Sequence, residues 1–132
     1  MQKELTKVAC RVTGFEIPVE NEARAKKFYN DAFGWRIETG MKGYSHIETA
    51  EMDNDWVPKE RGAVNGGMYK RETRNDRTAL MITVDSITEY LEKVKSGNGR
   101  VLTGKTKAGE WGWWAEIADT EGNVFELWED RG

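Results

Sequence analysis

Glu16 and Glu126 are the residues best suited to general acid–base chemistry, because each sits on a segment that hides its other face. Glu16 alternates with Phe15 and Ile17, and Glu126 with Phe125 and Leu127. On the two-residue period of a strand, both carboxylates therefore point away from the apolar side. Two carboxylates brought close on such a face repel each other, and repulsion holds a proton on one of them, the condition for proton abstraction or delivery. His46 is the only imidazole. It shares a strand face with Glu48 in Tyr44-Ser45-His46-Ile47-Glu48, and a lone histidine there reads as a surface or structural residue. The chain has six tryptophans, at 35, 56, 111, 113, 114 and 128, more than a core of this size needs. Trp113 shares its parity with Ala115 and Ile117, whereas Trp114 and Glu116 face the other way. One ring of the adjacent pair is thus expected under a helix. The other is left for a planar or hydrophobic ligand, or for a second subunit.

The elements that position these residues repeat. Phe15, Ile17 and Val19 mark a strand within 8–19. Ala25, Phe28, Tyr29, Ala32 and Phe33 then fall on a helical stripe, with Asn21 as N-cap and Gly34 as the stop. Strands are expected at 35–38, 44–49 and 64–69, with a polar loop at 51–63 that holds Trp56. Lys70 to Arg77 is a charged connector, read as solvated. Leu80, Ile82 and Val84 begin the pattern again. Ser86 and Glu89 form a capping box, Ile87, Tyr90, Leu91 and Val94 a helical stripe, Glu89 and Lys93 an i,i+4 pair, and Gly97 the stop. Further strands follow at 100–103, 111–117 and 124–128, with Asp119-Thr120-Glu121-Gly122-Asn123 as the last turn. The chain reads as βαβββ twice. An offset of 65 superposes the first strands and helices. An offset of 58 superposes the last strands, laying Asn65 on Asn123, and the 51–63 loop absorbs the difference.

With 132 residues and 15.1 kDa, the chain fits one domain built on a single core. Hydrophobic residues make up 38% and charged residues 33%, which excludes a disordered chain and implies a polar surface. A net charge of -3 argues against a nucleic-acid partner. The longest apolar run, Ala79 to Val84, is far short of a membrane span, and no secretory signal opens the sequence. With Cys10 as the only cysteine, the expected location is the reducing cytoplasm, with no membrane partner.

Gly14-Phe15-Glu16-Ile17-Pro18-Val19, Ala25-Lys26-Lys27-Phe28-Tyr29, Phe33-Gly34-Trp35, Asn65-Gly66-Gly67-Met68, Val84-Asp85 and Asp119-Thr120-Glu121-Gly122-Asn123-Val124-Phe125-Glu126-Leu127-Trp128 resemble the vicinal oxygen chelate superfamily of glyoxalase, bleomycin-resistance and dioxygenase proteins. The resemblance covers nearly the whole chain. It implies an α+β fold, one glyoxalase-like domain over 1–132, with tandem βαβββ modules at about 8–72 and 76–129 whose curved sheets form a cup around a ligand. It also implies a homodimer. The strand parity, with the 58-residue offset laying Met68 opposite Glu126, then assigns Gly14, Glu16, Met68, Ala79, Met81, Trp114, Glu126 and Trp128 to the cup as ligand-binding residues.

Metal-dependent relatives place one ligand on the first and one on the last strand of each module. Carried onto this chain, those positions are Gly14, Met68, Ala79 and Glu126. Only Glu126 offers a donor for such an ion, so the expectation is no metal and no cofactor. Three functions follow. The first is a small-molecule-binding protein with a degenerate metal site. The second is a metal-independent lyase or isomerase using Glu126 and Glu16 as acid and base. The third is a regulatory or assembly subunit.

Overall fold

The structure, a computed structural model, describes residues 10–40, 42–73 and 76–131. Among the described residues the chain divides into two compact units, residues 14–79 and residues 80–131 together with 10–13. Val8 and Ala9 of the expected first strand, and Arg74 and Asn75 of the charged connector, lie outside the described residues.

The first module runs β1 (Val12–Val19), α1 (Glu22–Phe33), β2 (Arg36–Thr39), β3 (Tyr44–Glu48) and β4 (Gly66–Lys70). Its strands lie in the order β2-β3-β4-β1, with β1 parallel to β4 and the other pairs antiparallel. The second module repeats the series as β5 (Ala79–Thr83), α2 (Ile87–Ser96), β6 (Arg100–Ala108), β7 (Gly112–Ala118) and β8 (Val124–Asp130). Its order is β5-β8-β7-β6, again with the first and last strands parallel. The fold is α+β, two βαβββ modules in tandem. The first residues of β1 belong to the second unit, where the Thr83 amide donates to the Arg11 carbonyl and the Thr13 and Thr83 hydroxyls meet at 2.6 Å.

Alternation produces one apolar face per module, and a helix covers it. In the first, Val19, Ile37, Ile47 and Met68 form a buried cluster against which Phe15, Ile17, Ala25, Tyr29 and Trp35 pack. In the second, Val84, Ile87, Ala115, Ile117 and Leu127 are buried beneath Tyr90, Leu91, Val94 and Trp113. Burying one such aliphatic side chain contributes roughly 2 kcal/mol before entropy is counted. The helices start where their caps predict. The Asn21 side chain accepts from the Arg24 amide at 2.9 Å, and the Ser86 hydroxyl accepts from the Glu89 amide at 3.2 Å. Gly34 ends α1 in the left-handed region at φ 72. Gly97 caps α2 at φ -88, and Asn98 takes the left-handed position instead, at φ 68.

Several expectations need correction. Phe28 and Phe33, read as part of the buried stripe of α1, are 57% and 62% exposed, because only Ala25 and Tyr29 of that stripe reach the sheet cluster. Leu80 is likewise exposed, since the residues packed against the second core begin at Ile82. Trp111 precedes β7 and is exposed. β6 extends to Ala108, well beyond 103, through two irregularities in its pairing with β7. It is an edge strand, where Lys105 and Lys107 discourage further pairing.

The two polar turns carry their own wiring. In the Asp119 turn, the carboxylate accepts from the amides of Glu121 and Asn123, each at 2.8 Å, and from Asn123 Nδ2 at 3.0 Å, while Gly122 takes φ 84. Hydrogen bonds from the Asn123 side chain and backbone hold the Asp119 carboxyl below the 3.8 of an unperturbed aspartate. Asp76 is lowered too, first by the Glu72 amide and then by Thr73, so the connector is an ordered turn where described. Both folded values lie below the unfolded one. Their stabilisation is therefore complete above about pH 4 and lost as pH falls through the folded values. Carboxyl carbon shifts followed by NMR from pH 6 to 2 should show both midpoints under 3.8; a midpoint at or above it would contradict the turn geometry.

Candidate functional site

The face of each sheet opposite its helix collects the polar side chains. On β1 and β4, Glu16 stands opposite Gly67 and Ile17 opposite Met68. On β3, His46 also stands opposite Gly67. Glu16, Gly67 and His46 therefore lie in one row on the helix-free face. Glu16 is only 5% exposed, and the Tyr44 hydroxyl donates to its Oε1 at 3.1 Å. The Tyr44 side chain reaches that carboxylate by crossing Gly67, where an added Cβ would overlap its hydroxyl and ring. Sequence parity places Tyr44 with His46 and Glu48, but the reach of its side chain over a glycine of the adjacent strand to a carboxylate two strands away carries no sequence signal.

The same register corrects Met68. It pairs with Ile17 on β1 and with Ser45 on β3, and it is 1% exposed within the core under α1. Met68 therefore does not line the helix-free face, and Gly67 takes the place assigned to it. Because Met81 pairs with Glu126 in the second module as Glu16 pairs with Gly67 in the first, the last strands correspond at an offset of 59, not 58. Lys70 shares the face of Val19, so it is not on the side of Glu16.

His46 is exposed, edge-on to the Tyr44 ring at 5.3 Å, and 6.2 Å from the ring of Trp56. Trp56 is presented by the 51–63 loop. The Asp53 carboxylate accepts from the amides of Asp55 and Val57, a bridge joins Met52 to Pro58, and Trp56 itself takes φ 64. Asn65 pins the base of this loop, its Oδ1 accepting from the amides of Thr49 and Ala50 at 2.7 and 3.1 Å and its Nδ2 donating to the Ala50 carbonyl.

In the second module the structure brings together Met81, Glu126, Trp114 and Trp128. Met81 pairs with Glu126, Glu126 with Glu116, and Trp114 with Trp128, all on the face away from α2. Trp113 lies on the other face with the core, its ring under the Lys105 ammonium at 4.6 Å. Trp128 Nε1 donates to Asp130 at 2.7 Å. The acidic neighbour of Glu126 inside its own module is thus Glu116, a residue whose face the parity gives but whose pairing it does not. Gly14 and Ala79 are buried, each at a small-residue position of its strand.

The donor chemistry of the four superfamily metal positions does not fit a tightly held transition ion. Gly14 and Ala79 have no ligating side chain, Met68 is turned into the core and the Gly67 that takes its place has no side chain either, and Glu126 is a single carboxylate.

Known proteins agree with this architecture. Residues 11–50 match the bleomycin resistance protein-like N-terminal family. A glyoxylase-like domain-containing protein of Didymella fabae is 30% identical over 96 residues, covering 70% of this chain and 72% of that one. Among solved structures, a hypothetical protein from Bacillus halodurans C-125 superposes with a TM-score of 0.67 at 13% identity, covering 95% of this chain and 97% of that chain. Methylmalonyl-CoA epimerase of Streptomyces coelicolor gives 0.63 at 13% identity over 93% and 99% of the two chains. The 2,3-dioxygenase LapB of Pseudomonas sp. KL28 gives 0.60 at 12% identity over 90% of this chain and 42% of its own. Sequence kinship and fold coincide: the chain belongs to the vicinal oxygen chelate superfamily of glyoxalase-, bleomycin-resistance- and dioxygenase-like proteins.

Proposed function

We propose that this chain is a small-molecule-binding protein of the bleomycin-resistance-like type, working without the superfamily metal. The observation that carries the reading is Glu16, a carboxylate 5% exposed on the helix-free face and tied to the Tyr44 phenol. Burying a carboxylate costs several kcal/mol in general unless its surroundings compensate, and a hydrophobic residue there would be the cheaper choice for folding alone. Met81, Trp114, Glu126 and Trp128 supply a second set of ligand contacts on their own module, with adaptable and aromatic surface beside a carboxylate. Pairing of two copies, implied by superfamily likeness, and a reducing compartment suited to the free Cys10 belong to the same proposal.

A second reading is favoured by the Glu16–Tyr44 contact itself. A carboxylate held by a phenol can take a proton from a bound molecule while the phenol steadies the charge, so Glu16 can serve as acid or base in a lyase or isomerase, as can Glu126 on its own module. The two readings part on substitution. A metabolite library screened by tryptophan fluorescence should yield a ligand for the wild type. For that ligand, Glu126→Gln and Glu16→Gln should weaken binding about tenfold or less without any product forming in the wild type. Product formation that either variant abolishes, with affinity kept, would establish the enzyme reading instead. A screen with no ligand at all would overturn both.

A further inference from the structure

We infer that the groove between the end of β1 and the first two turns of α1 is a binding site for an aromatic carboxylate, separate from the helix-free faces discussed above. The groove holds about 390 Å³, within the range of about 300–1,000 Å³ usual for small-molecule sites. Pro18 and Val19 line it from the strand, and Arg24, Ala25, Phe28 and Tyr29 from the helix. The Phe28 ring is 57% exposed although it belongs to the apolar stripe. The Arg24 amide donates to the Asn21 cap, but its guanidinium has no hydrogen bond or ion pair among the described residues. Glu20, the acidic side chain at the groove, lies toward Arg71 at 4.0 Å.

The second module shows the same positions when the chain fills them itself. At the offset of 65, Ala25 corresponds to Tyr90, Arg24 to Glu89 and Phe28 to Lys93. The Tyr90 ring packs on the second core, Glu89 pairs with Lys93 at 3.7 Å, and the Lys93 ammonium lies 4.4 Å from the centre of the Tyr90 ring. A ring, a carboxylate and a cation are thus all supplied from within α2. In α1 the ring at this place shrinks to the methyl group of Ala25, the carboxylate is gone, and the cation has moved back one turn to Arg24. The groove therefore lacks a ring and a carboxylate. A flat ring laid against Ala25 and Pro18, beside Phe28, takes the space that Tyr90 takes in α2. Its carboxylate accepts from the Arg24 guanidinium, whose planar fork matches two oxygens in one plane.

Four probes decide the chemistry: 2-naphthoate, the neutral 2-naphthylmethanol, the cationic 2-naphthylmethylammonium, and acetate as a carboxylate without a ring. Each is titrated at pH 7 into the full chain and followed by proton–nitrogen NMR. The naphthoate is expected to bind about tenfold tighter than the alcohol, the ammonium weaker than either and acetate weakest, with shifts at the amides of Arg24, Ala25 and Phe28. Arg24→Gln should reduce the naphthoate to the level of the alcohol. Phe28→Ala should weaken the naphthoate and the alcohol alike several-fold, and Ala25→Tyr should block both, whereas Trp111→Ala should change nothing. Arg24 and Phe28 are exposed, so their variants carry the test even if the larger ring at position 25 unfolds the chain. Equal affinity for naphthoate and alcohol, or a preference that survives Arg24→Gln, overturns the carboxylate assignment. Acetate binding as tightly as the naphthoate overturns the aromatic one. Shifts confined to Trp114 and Trp128 overturn the groove while supporting the function proposed above. Self-association that rises with concentration and is abolished by Phe28→Ala also overturns it, because a second copy then covers the groove. No shift with any probe at millimolar concentration overturns the site itself.

Discussion

Gly66→Ala is expected to destabilise the first module by about 3 kcal/mol, whereas Gly67→Ala, one residue further along β4, is expected to cost only about 1 kcal/mol and to separate Tyr44 from Glu16. The two glycines are neighbours on opposite faces. A Cβ on Gly66 would overlap the Phe15 carbonyl oxygen and stand 2.8 Å from its ring. That oxygen belongs to β1, whose parallel pairing with β4 begins there, so relief requires the two strands to part. A Cβ on Gly67 would overlap the hydroxyl and the near edge of the ring of Tyr44, a side chain that can rotate away. The cost then reduces to one hydrogen bond lost by the buried Glu16 carboxylate and a ring moved toward water. Urea denaturation measures the first difference, and the chemical shifts of the Tyr44 ring measure the second. Similar losses of stability in the two variants would show that Tyr44 is not held over Gly67 as described.

That contrast also explains what could be read from the sequence. Alternation at Phe15, Ile17 and Val19, and at Ile82 and Val84, is a local signal of burial, and the Asn21 and Ser86 caps are local hydrogen bonds. Both are therefore legible in a short window, and the structure holds them. The face of Met68 is a different kind of property. Aligning the two modules on Asn65 and Asn123 gives an offset of 58, while strand pairing matches Met68 to Ile17 and Leu127 to Ile82, an offset of 59. Because side chains alternate, that slip of one residue turns the whole of β4 over, moving Met68 into the core and Gly67 onto the other face. Only the pairing partner fixes the register, and the partner is about 50 residues away in sequence.

Tyr44 was illegible for a related reason. Parity gives the side of the sheet, but not how far a long side chain leans along it. Its contact with Glu16 exists because the intervening position on β4 has no side chain. The aromatic stripe of α1 failed in the opposite direction, since periodicity marked Phe28 and Phe33 as core. A helix lying on one sheet touches it along a narrower line than its apolar stripe, and here that line runs through Ala25 and Tyr29. Phe33 instead joins Tyr29 and Trp35 in a partly exposed aromatic group, with the Tyr29 and Trp35 rings stacked at 5.1 Å.

Ile87→Ala is expected to remove about 3 kcal/mol from the second module, within the usual range for truncating a buried isoleucine. Ile87 is fully buried, in the first turn of α2, and sits in the cluster of Val84, Ala115, Ile117 and Leu127. Its amide donates to the Glu129 carboxylate at 2.7 Å, and Glu129 also lies 3.5 Å from the Lys105 ammonium. Alanine keeps that amide and its hydrogen bond, so the loss reads packing rather than capping. Thr88, exposed one residue later, is the control, and its replacement by alanine should change stability by no more than about 0.5 kcal/mol. The cluster backs β5 and β8, whose other face carries Met81, Glu126 and Trp128, so its integrity fixes the platform for those side chains. Hydrogen exchange should accordingly report faster opening of α2, β7 and β8 in Ile87→Ala. In the folded state the near-ultraviolet dichroism of the tryptophans should persist, because a cavity under a helix weakens the platform without turning its strands over. A loss below about 1 kcal/mol would mean that the core collapses into the space left by the side chain, and that α2 is not the element holding β5 and β8 in place.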